Sequence, residues 1–371
     1  MALINSQTRL HQLVETLQAH NDDFGYQRLE TPILQPADLF LTKAGDQLIQ
    51  RLFTFERFGR QWALRPEFTA SAAAAYAEMD THSDTPTRWQ FAGAVFADAP
   101  ESSQVQQRYS VGTELIGWSS PRADAETIAL AFGGVRAVGV PDARIILGSV
   151  QFLRALFEGY DLDSRLLRFL MEHIAHLHTD GKAFILDRFD RMTTLGAARP
   201  DSDGLELTVL LQNNTPLVGR SREDILNRLQ RKTQRSAVRG VVVTALDQLE
   251  ALHHIAETPA SAFVRVRALL DARQTQAQVA LDALETLVDL LEAAGVPADR
   301  IIVQPTLARD WNYYTGAVFE VRASDNTLLA GGGRYDELVR LMGGSDTPSV
   351  GLAFYVDDLS TIVQHGANGN A

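Results

Sequence analysis

No cysteine occurs anywhere in the 371 residues. That excludes a disulfide framework, a thiolate zinc site and a cysteine nucleophile. No apolar run approaches the ~18 residues that a membrane helix needs, so no membrane partner is expected. The opening MALINSQTRLHQLVETLQ has no basic stretch leading into an apolar block, so no secretory signal is expected either. Basic residues are scarce: 34 Lys and Arg face 46 Asp and Glu, a net charge of −12. Grip on a nucleic-acid backbone rests on neutralising phosphates, usually with a basic patch or stripe, so no nucleic-acid partner is expected. The densest basic segment, SREDILNRLQRKTQRSAVRG at 221–240, also carries acids and reads as the solvated face of a helix. What remains, 45% hydrophobic and 22% charged residues, is an ordinary globular balance. The expected location is cytoplasmic.

Periodicity then places the elements. Leu10, Leu13, Val14 and Leu17 recur at helical spacing behind a candidate cap at Ser6, with Gly25 as the stop. RLFTFERFGRQWALRPE alternates on both sides of Gly59 and predicts a β-hairpin; RWQFAGAVFAD and RYSVGTELIGW predict a second. From about 122 to 295 the pattern is helical, broken by ARIILGSV (143–150) and by GLELTVLLQ (204–212), which reads as strand or helix. Four helix candidates follow between about 221 and 293. Strand signals return in RIIVQP, YYTGAVFEV, TLLAGGG and SVGLAFYV, with a turn at Ser324, Asp325 and Asn326. Consecutive hairpins point to an α+β fold, an antiparallel sheet flanked by helices, with both outer thirds feeding one sheet. The expected division is 1–160 and 296–365 as two parts of one core, 161–295 as a mainly helical insertion, and 366–371 as a flexible tail.

Four stretches place polar residues or glycines where the pattern predicts apolar ones or ordinary turns. ARDWNYYTGAVFEV at 308–321 offers Arg309, whose fork suits a carboxylate, and Tyr313 and Tyr314, flat walls with a hydroxyl. Strand alternation would put Asn312, Tyr314 and Gly316 on one face, Tyr313 and Thr315 on the other. Taken alone, the stretch reads first as a half-exposed strand with a surface arginine and core tyrosines. LLAGGGRYDELVRLMGG at 328–344 reads as a strand ending in three glycines that open a helix, with Arg334 and Tyr335 in its first turn. Glycines there let a ligand approach the backbone, although the same pattern serves a tight strand–helix turn. In LRPEFTASAAAA, Glu67 and Thr69 stand at a strand–helix junction, where a carboxylate either steadies the helix dipole or receives an ammonium group. Glu114, inside the apolar VGTELIG, faces solvent or holds something cationic, since a buried unpaired carboxylate is costly.

In order, these stretches resemble the class II aminoacyl-tRNA synthetase core, and specifically histidyl-tRNA synthetase. RLETPILQP resembles the proline-bearing motif of the dimer interface, and ALRPEFTASAAA the segment that binds the amino group of histidine. RWQFAGAVFADAP…RYSVGTELIG resembles the second class motif, LARDWNYYTGAVFE and AGGGRYDELVRLMGG the two histidine signatures, and TPSVGLAFYVDDL the third class motif. The resemblance spans about 5–365 and keeps motif order. It implies a histidine pocket: Glu67 and Thr69 on the α-amino group, Arg309 on the carboxylate, Glu114 with Tyr314 on the imidazole, and Tyr313 and Tyr335 lining it. Ser110 stands where an amino-group glutamine is expected, and Asp310 and Asn312 replace a usual Gly and Asp.

The departures carry the functional expectation. Ala97 stands where the synthetases place an arginine on the α-phosphate of ATP, followed by Asp98 and Glu101; Asp358 stands where they place one on the γ-phosphate side. The chain also stops where synthetases continue into an anticodon-binding domain. This combination resembles the histidyl-synthetase-like regulatory subunits of ATP phosphoribosyltransferase. The resemblance implies a homodimer without catalytic residues or cofactor. Its partner would be a short-form ATP phosphoribosyltransferase catalytic subunit, which it activates, relaying feedback by L-histidine. Two alternatives stand beside it: a divergent histidine-activating ligase, and a free-standing histidine sensor.

Overall fold

Strand-forming segments from both ends of the chain interleave in one sheet. The computed structural model describes residues 2–41, 51–79, 85–98, 107–160, 162–197, 222–307, 309 and 313–369. Its strands, in chain order, are β1 (Gln27–Arg28), β2 (Leu34–Pro36), β3 (Thr54–Arg57), β4 (Arg60–Leu64), β5 (Thr87–Phe96), β6 (Gln107–Ile116), β7 (Arg144–Ser149), β8 (Ile301–Val303), β9 (Ala317–Arg322), β10 (Leu328–Arg334) and β11 (Ser349–Tyr355). The large sheet runs β1-β5-β6-β11-β10-β9-β7-β8, and β2-β4-β3 form a smaller one. Every neighbour from β5 to β7 is antiparallel, while β1 on β5 and β7 on β8 are parallel. The fold is therefore α+β, with an antiparallel middle and a parallel pair at each edge.

Local chemistry explains the elements. The β3–β4 hairpin turns on Phe58 and Gly59 at φ 54 and 70, the left-handed pair that a two-residue hairpin turn requires. The β9–β10 turn closes with Ala323 N donating to Thr327 O at 2.9 Å, and Asn326 takes φ 72. Helix Pro121–Ala137 starts with proline at its first position and with Ser120 Oγ accepting from Arg122 N at 3.3 Å. Its face of Ile128, Leu130, Ala131, Phe132 and Val135 is buried. In helix Ala2–Asp23, Leu13, Val14 and Leu17 are buried as their spacing predicts, and Gly25 follows at φ 79. Ser6 lies inside this helix rather than at its cap.

Residues Met1–Gly159 with Ile255–Ala371 form one compact unit, and Tyr160–His254 a second. The helical stretch 161–295 is thus divided. Helices Pro259–Leu269 and Thr275–Ala293 belong to the unit that holds the sheet, where Leu281, Leu284, Leu287, Val288 and Leu291 are buried. The second unit comprises helices Ser164–Thr179, Gly181–Ala197 and Arg222–His253, with Phe169, Ile185, Phe189, Leu246 and Leu249 buried. Three helices, not four, therefore occupy 222–293, because Arg222–His253 is continuous. Segment 204–212 lies outside the described residues. The last helix, Val356–Gly369, runs into the segment expected as a tail. Among the described residues no helix is long and apolar enough to cross a membrane.

The triple glycine departs from its expected place. Gly331, Gly332 and Gly333 lie within β10, paired on both sides, and Tyr335 follows the strand; the short helix Leu338–Leu341 begins later. The glycines therefore do not open a helix. The glycines instead make room: a Cβ at Gly331 would fall on the guanidinium of Arg309, and one at Gly351, on the neighbouring β11, on the carboxylate of Glu114.

Candidate ligand-binding site

The room cleared by those glycines is a cavity of about 110 Å³ over the middle of the sheet. All eight residues singled out in the sequence line it: Glu67, Thr69, Ser110, Glu114, Arg309, Tyr313, Tyr314 and Tyr335. The strands explain the convergence. Glu114 on β6 lies opposite Gly351 on β11, and Ser110 opposite Tyr355. Glu67 and Thr69 enter from the start of helix Thr69–Ala77.

One pole holds two carboxyls linked by one threonine. Glu114 is 2% exposed; it accepts from Thr69 Oγ1 at 2.6 Å and from the Tyr335 hydroxyl. Half-buried Glu67 accepts from the main-chain N–H groups of Thr69 and, at 3.0 Å, Ala70. The helix-steadying role and the pocket position therefore coincide. Burial pushes Glu114 up to about 8, with Glu67 adding repulsion, against the hydrogen bonds from Thr69 and Tyr335. Burial likewise pushes Glu67 up to about 7, against hydrogen bonds from Ala70 and Thr69. The pair favours a ligand that brings positive charge or N–H donors.

The other pole is cationic. Arg309, its side chain 10% exposed, donates to Glu320 Oε1 at 3.2 Å, to Tyr355 Oη at 2.8 Å and to Phe319 O at 3.5 Å, and its Nε is buried without a partner. Glu320 is shared with Arg322 at 2.6 Å, so one acid faces two guanidinium groups. A ligand carboxylate would be drawn to this end.

Three side chains wall the cavity between the poles. Tyr313, Tyr314 and Tyr335 are 5, 7 and 1% exposed, with ring centroids 4.8 Å apart for Tyr313–Tyr314 and 5.5 Å for Tyr313–Tyr335. Residues 313–316 do not form the expected strand; β9 starts at Ala317, and the preceding segment is held by Thr315 N donating to Arg334 O at 2.8 Å. Strand alternation is lost there, which is why both tyrosines reach the cavity. Asp310 and Asn312 lie outside the described residues. Tyr335 is set by its neighbour: Arg334 bonds Asp124 of helix Pro121–Ala137 at 2.7 and 2.9 Å in a buried ion pair.

Reading by spacing missed Glu320 and Tyr355. Glu320 carries the signal that singled out Glu114, a carboxylate in an apolar strand, and Tyr355 ends the alternating SVGLAFY. At that end of the sheet Ala97 follows β5, half-buried. Asp358, in the first turn of Val356–Gly369, pairs with Arg108 Nη1 at 3.1 Å, while Asp357 accepts from Tyr109 N at 2.6 Å. Glu101 lies outside the described residues. Among the described residues no group of His, Asp and Glu is placed to hold a metal ion.

The profile of histidyl-tRNA synthetases matches residues 3–188 and 206–359. The chain belongs to the histidyl-tRNA synthetase family. Within it, the chain is 31% identical to an ATP phosphoribosyltransferase regulatory subunit of Brucella anthropi, covering 90% of this chain and 93% of that protein. It is 28% identical to a histidine–tRNA ligase of Sorangium cellulosum, over 96% of this chain and 69% of the ligase. In fold it matches the crystal structure of an ATP phosphoribosyltransferase regulatory subunit/histidyl-tRNA synthetase from Bacillus halodurans, with a TM-score of 0.71 at 21% identity, over 96% and 79% of the two chains. The class II synthetase-like core expected from the motifs is thus the fold of this family member.

Proposed function

We propose that this chain is a regulatory subunit of ATP phosphoribosyltransferase. It performs no adenylation, pairs with a second copy of itself, and joins a short-form catalytic subunit. It raises that subunit's turnover and lowers it again when L-histidine fills the cavity. The carrying observation is the charge at the nucleotide end. Where the resemblance implies two phosphate-binding arginines stand Ala97 and Asp358. Arg108, beside Asp358, is paired with it. With Arg108 tied to Asp358, the attraction that a free guanidinium would offer a phosphate at a few ångströms, on the order of 4 kcal/mol at an effective dielectric near 20, is missing. The amino-acid end, by contrast, keeps acids, a guanidinium and three aromatic walls. The similarity to a regulatory subunit over most of both chains supports the same reading.

In this role the cavity is a sensor. Histidine would set its ammonium and imidazole N–H groups on Glu67 and Glu114 and its carboxylate on Arg309. Inhibition requires that histidine bind the inhibited and active assemblies with different affinity, typically by 1–3 kcal/mol for such couplings. The test mixes the purified chain with a short-form catalytic subunit and follows phosphoribosyl transfer. The reading requires a complex at micromolar concentration, a rise in turnover, and its reversal by histidine. Absence of a complex, or a complex that leaves turnover unchanged, refutes it.

A further inference from the structure

The side chain of Tyr355 closes the pole near Arg309. Tyr355 is the last residue of β11, opposite Ser110, four residues along from the Glu114–Gly351 pair. At ~3.3 Å per residue the two pairs lie roughly 13 Å apart and bracket the cavity lengthwise. Beyond Tyr355 come Asp357 and Asp358 on one chain segment and Tyr109 and Arg108 on the other. Tyr355 therefore stands between the amino-acid end and the end where Ala97 and Asp358 lie. Its hydroxyl accepts from Arg309 Nη2 at 2.8 Å, so the side chain reaches over to the cationic pole, and it is itself part of the cavity wall. The residue is half-buried, as expected of a wall with solvent behind it.

We propose that Tyr355 makes the cavity selective for ligands whose carboxylate is free. This rests on the reading that an amino-acid carboxylate faces Arg309. Any group joined through that carboxylate, in an ester, an amide or an acyl-adenylate, would have to run through the space the Tyr355 ring fills. The bond from Arg309 Nη2 to the Tyr355 hydroxyl holds the ring against the guanidinium that would receive the carboxylate. The cavity accepts the free amino acid and refuses its activated forms. That separates sensing from chemistry by shape, independently of the charges at Ala97 and Asp358.

The test titrates the full chain calorimetrically with L-histidine and with histidyl-sulfamoyl-adenosine, a stable acyl-adenylate mimic. Wild type, Tyr355→Phe and Tyr355→Gly are compared, each checked for folding by circular dichroism. Wild type is expected to favour histidine over the mimic at least 100-fold. Tyr355→Phe keeps the ring and the preference, whereas Tyr355→Gly narrows it at least 10-fold by gaining affinity for the mimic. Equal binding of both ligands by wild type overturns the proposal, as does a parallel loss of both affinities in Tyr355→Gly, the mark of a merely structural residue. A wild-type chain that binds no histidine fails differently: it removes the amino-acid reading of the cavity and this proposal with it.

Discussion

The hydroxyl of Tyr335 donates to the carboxylate of Glu114, with the two residues 1 and 2% exposed. The bond ties the segment after β10 to the last part of β6, and among the described residues no basic side chain pairs with Glu114. That carboxyl is pushed up to about 8 and nearby Glu67 to about 7.

Stability of the empty protein should therefore fall with pH. Both carboxyls titrate near 4.5 when unperturbed and higher in the folded state, so the fold binds more protons than the unfolded chain between these values. The contribution is complete below about 4.5 and is lost as pH rises through 7 to 8, a tenfold difference in proton affinity being worth about 1.4 kcal/mol. Urea denaturation at pH 5, 6.5 and 8 checks this. Glu114→Gln should flatten the profile and stabilise the empty protein at pH 8; an unchanged slope would contradict the cause assigned here.

Ligand affinity should depend on both poles. Arg309→Ala and Glu114→Gln each remove a charge-assisted partner worth roughly 1.5–3 kcal/mol, so histidine inhibition of the mixed complex should weaken about 10- to 150-fold. Assembly, followed by analytical ultracentrifugation, should persist. Wild-type inhibition in both variants would place the inhibitor elsewhere.

The buried ion pair between Arg334 and Asp124 should be structural. Breaking it with Asp124→Ala leaves the buried guanidinium only half-exposed Asp336, at 3.1 Å, as its acid partner among the described residues, and should cost about 3 kcal/mol, seen as a lower denaturation midpoint. A loss within about 0.5 kcal/mol would mean that Asp336 alone compensates Arg334.

Gly351→Ala tests the role of the glycines. The added methyl falls on the Glu114 carboxylate. Histidine binding should drop at least 10-fold in calorimetry, with strand β11 still formed by circular dichroism. Undiminished binding would show that Glu114 moves freely.

Much of this was legible in the sequence because the strands report themselves. Alternation around Gly59 and the apolar runs 87–96 and 107–116 became β3, β4, β5 and β6. Glu114 stood out because a charge in such a run demands a partner. Glu320 gave the same signal, and its partners, Arg309 and Arg322, are visible only in the sheet. The triple glycine was misplaced because glycine marks both strand–helix turns and strands needing space, and only neighbours decide between them. The end of the second unit at His254 was not legible, since the helices on either side of it carry the same apolar periodicity.

Histidine-dependent exchange between ATP and pyrophosphate is the most direct test of the proposal that the cavity takes histidine while Ala97 and Asp358, standing where the resemblance implies guanidinium groups, support no adenylation. The purified chain, given magnesium, ATP, labelled pyrophosphate and histidine, should show no exchange above a protein-free control. Exchange that rises and saturates with histidine would contradict the regulatory role and make the chain an activating enzyme.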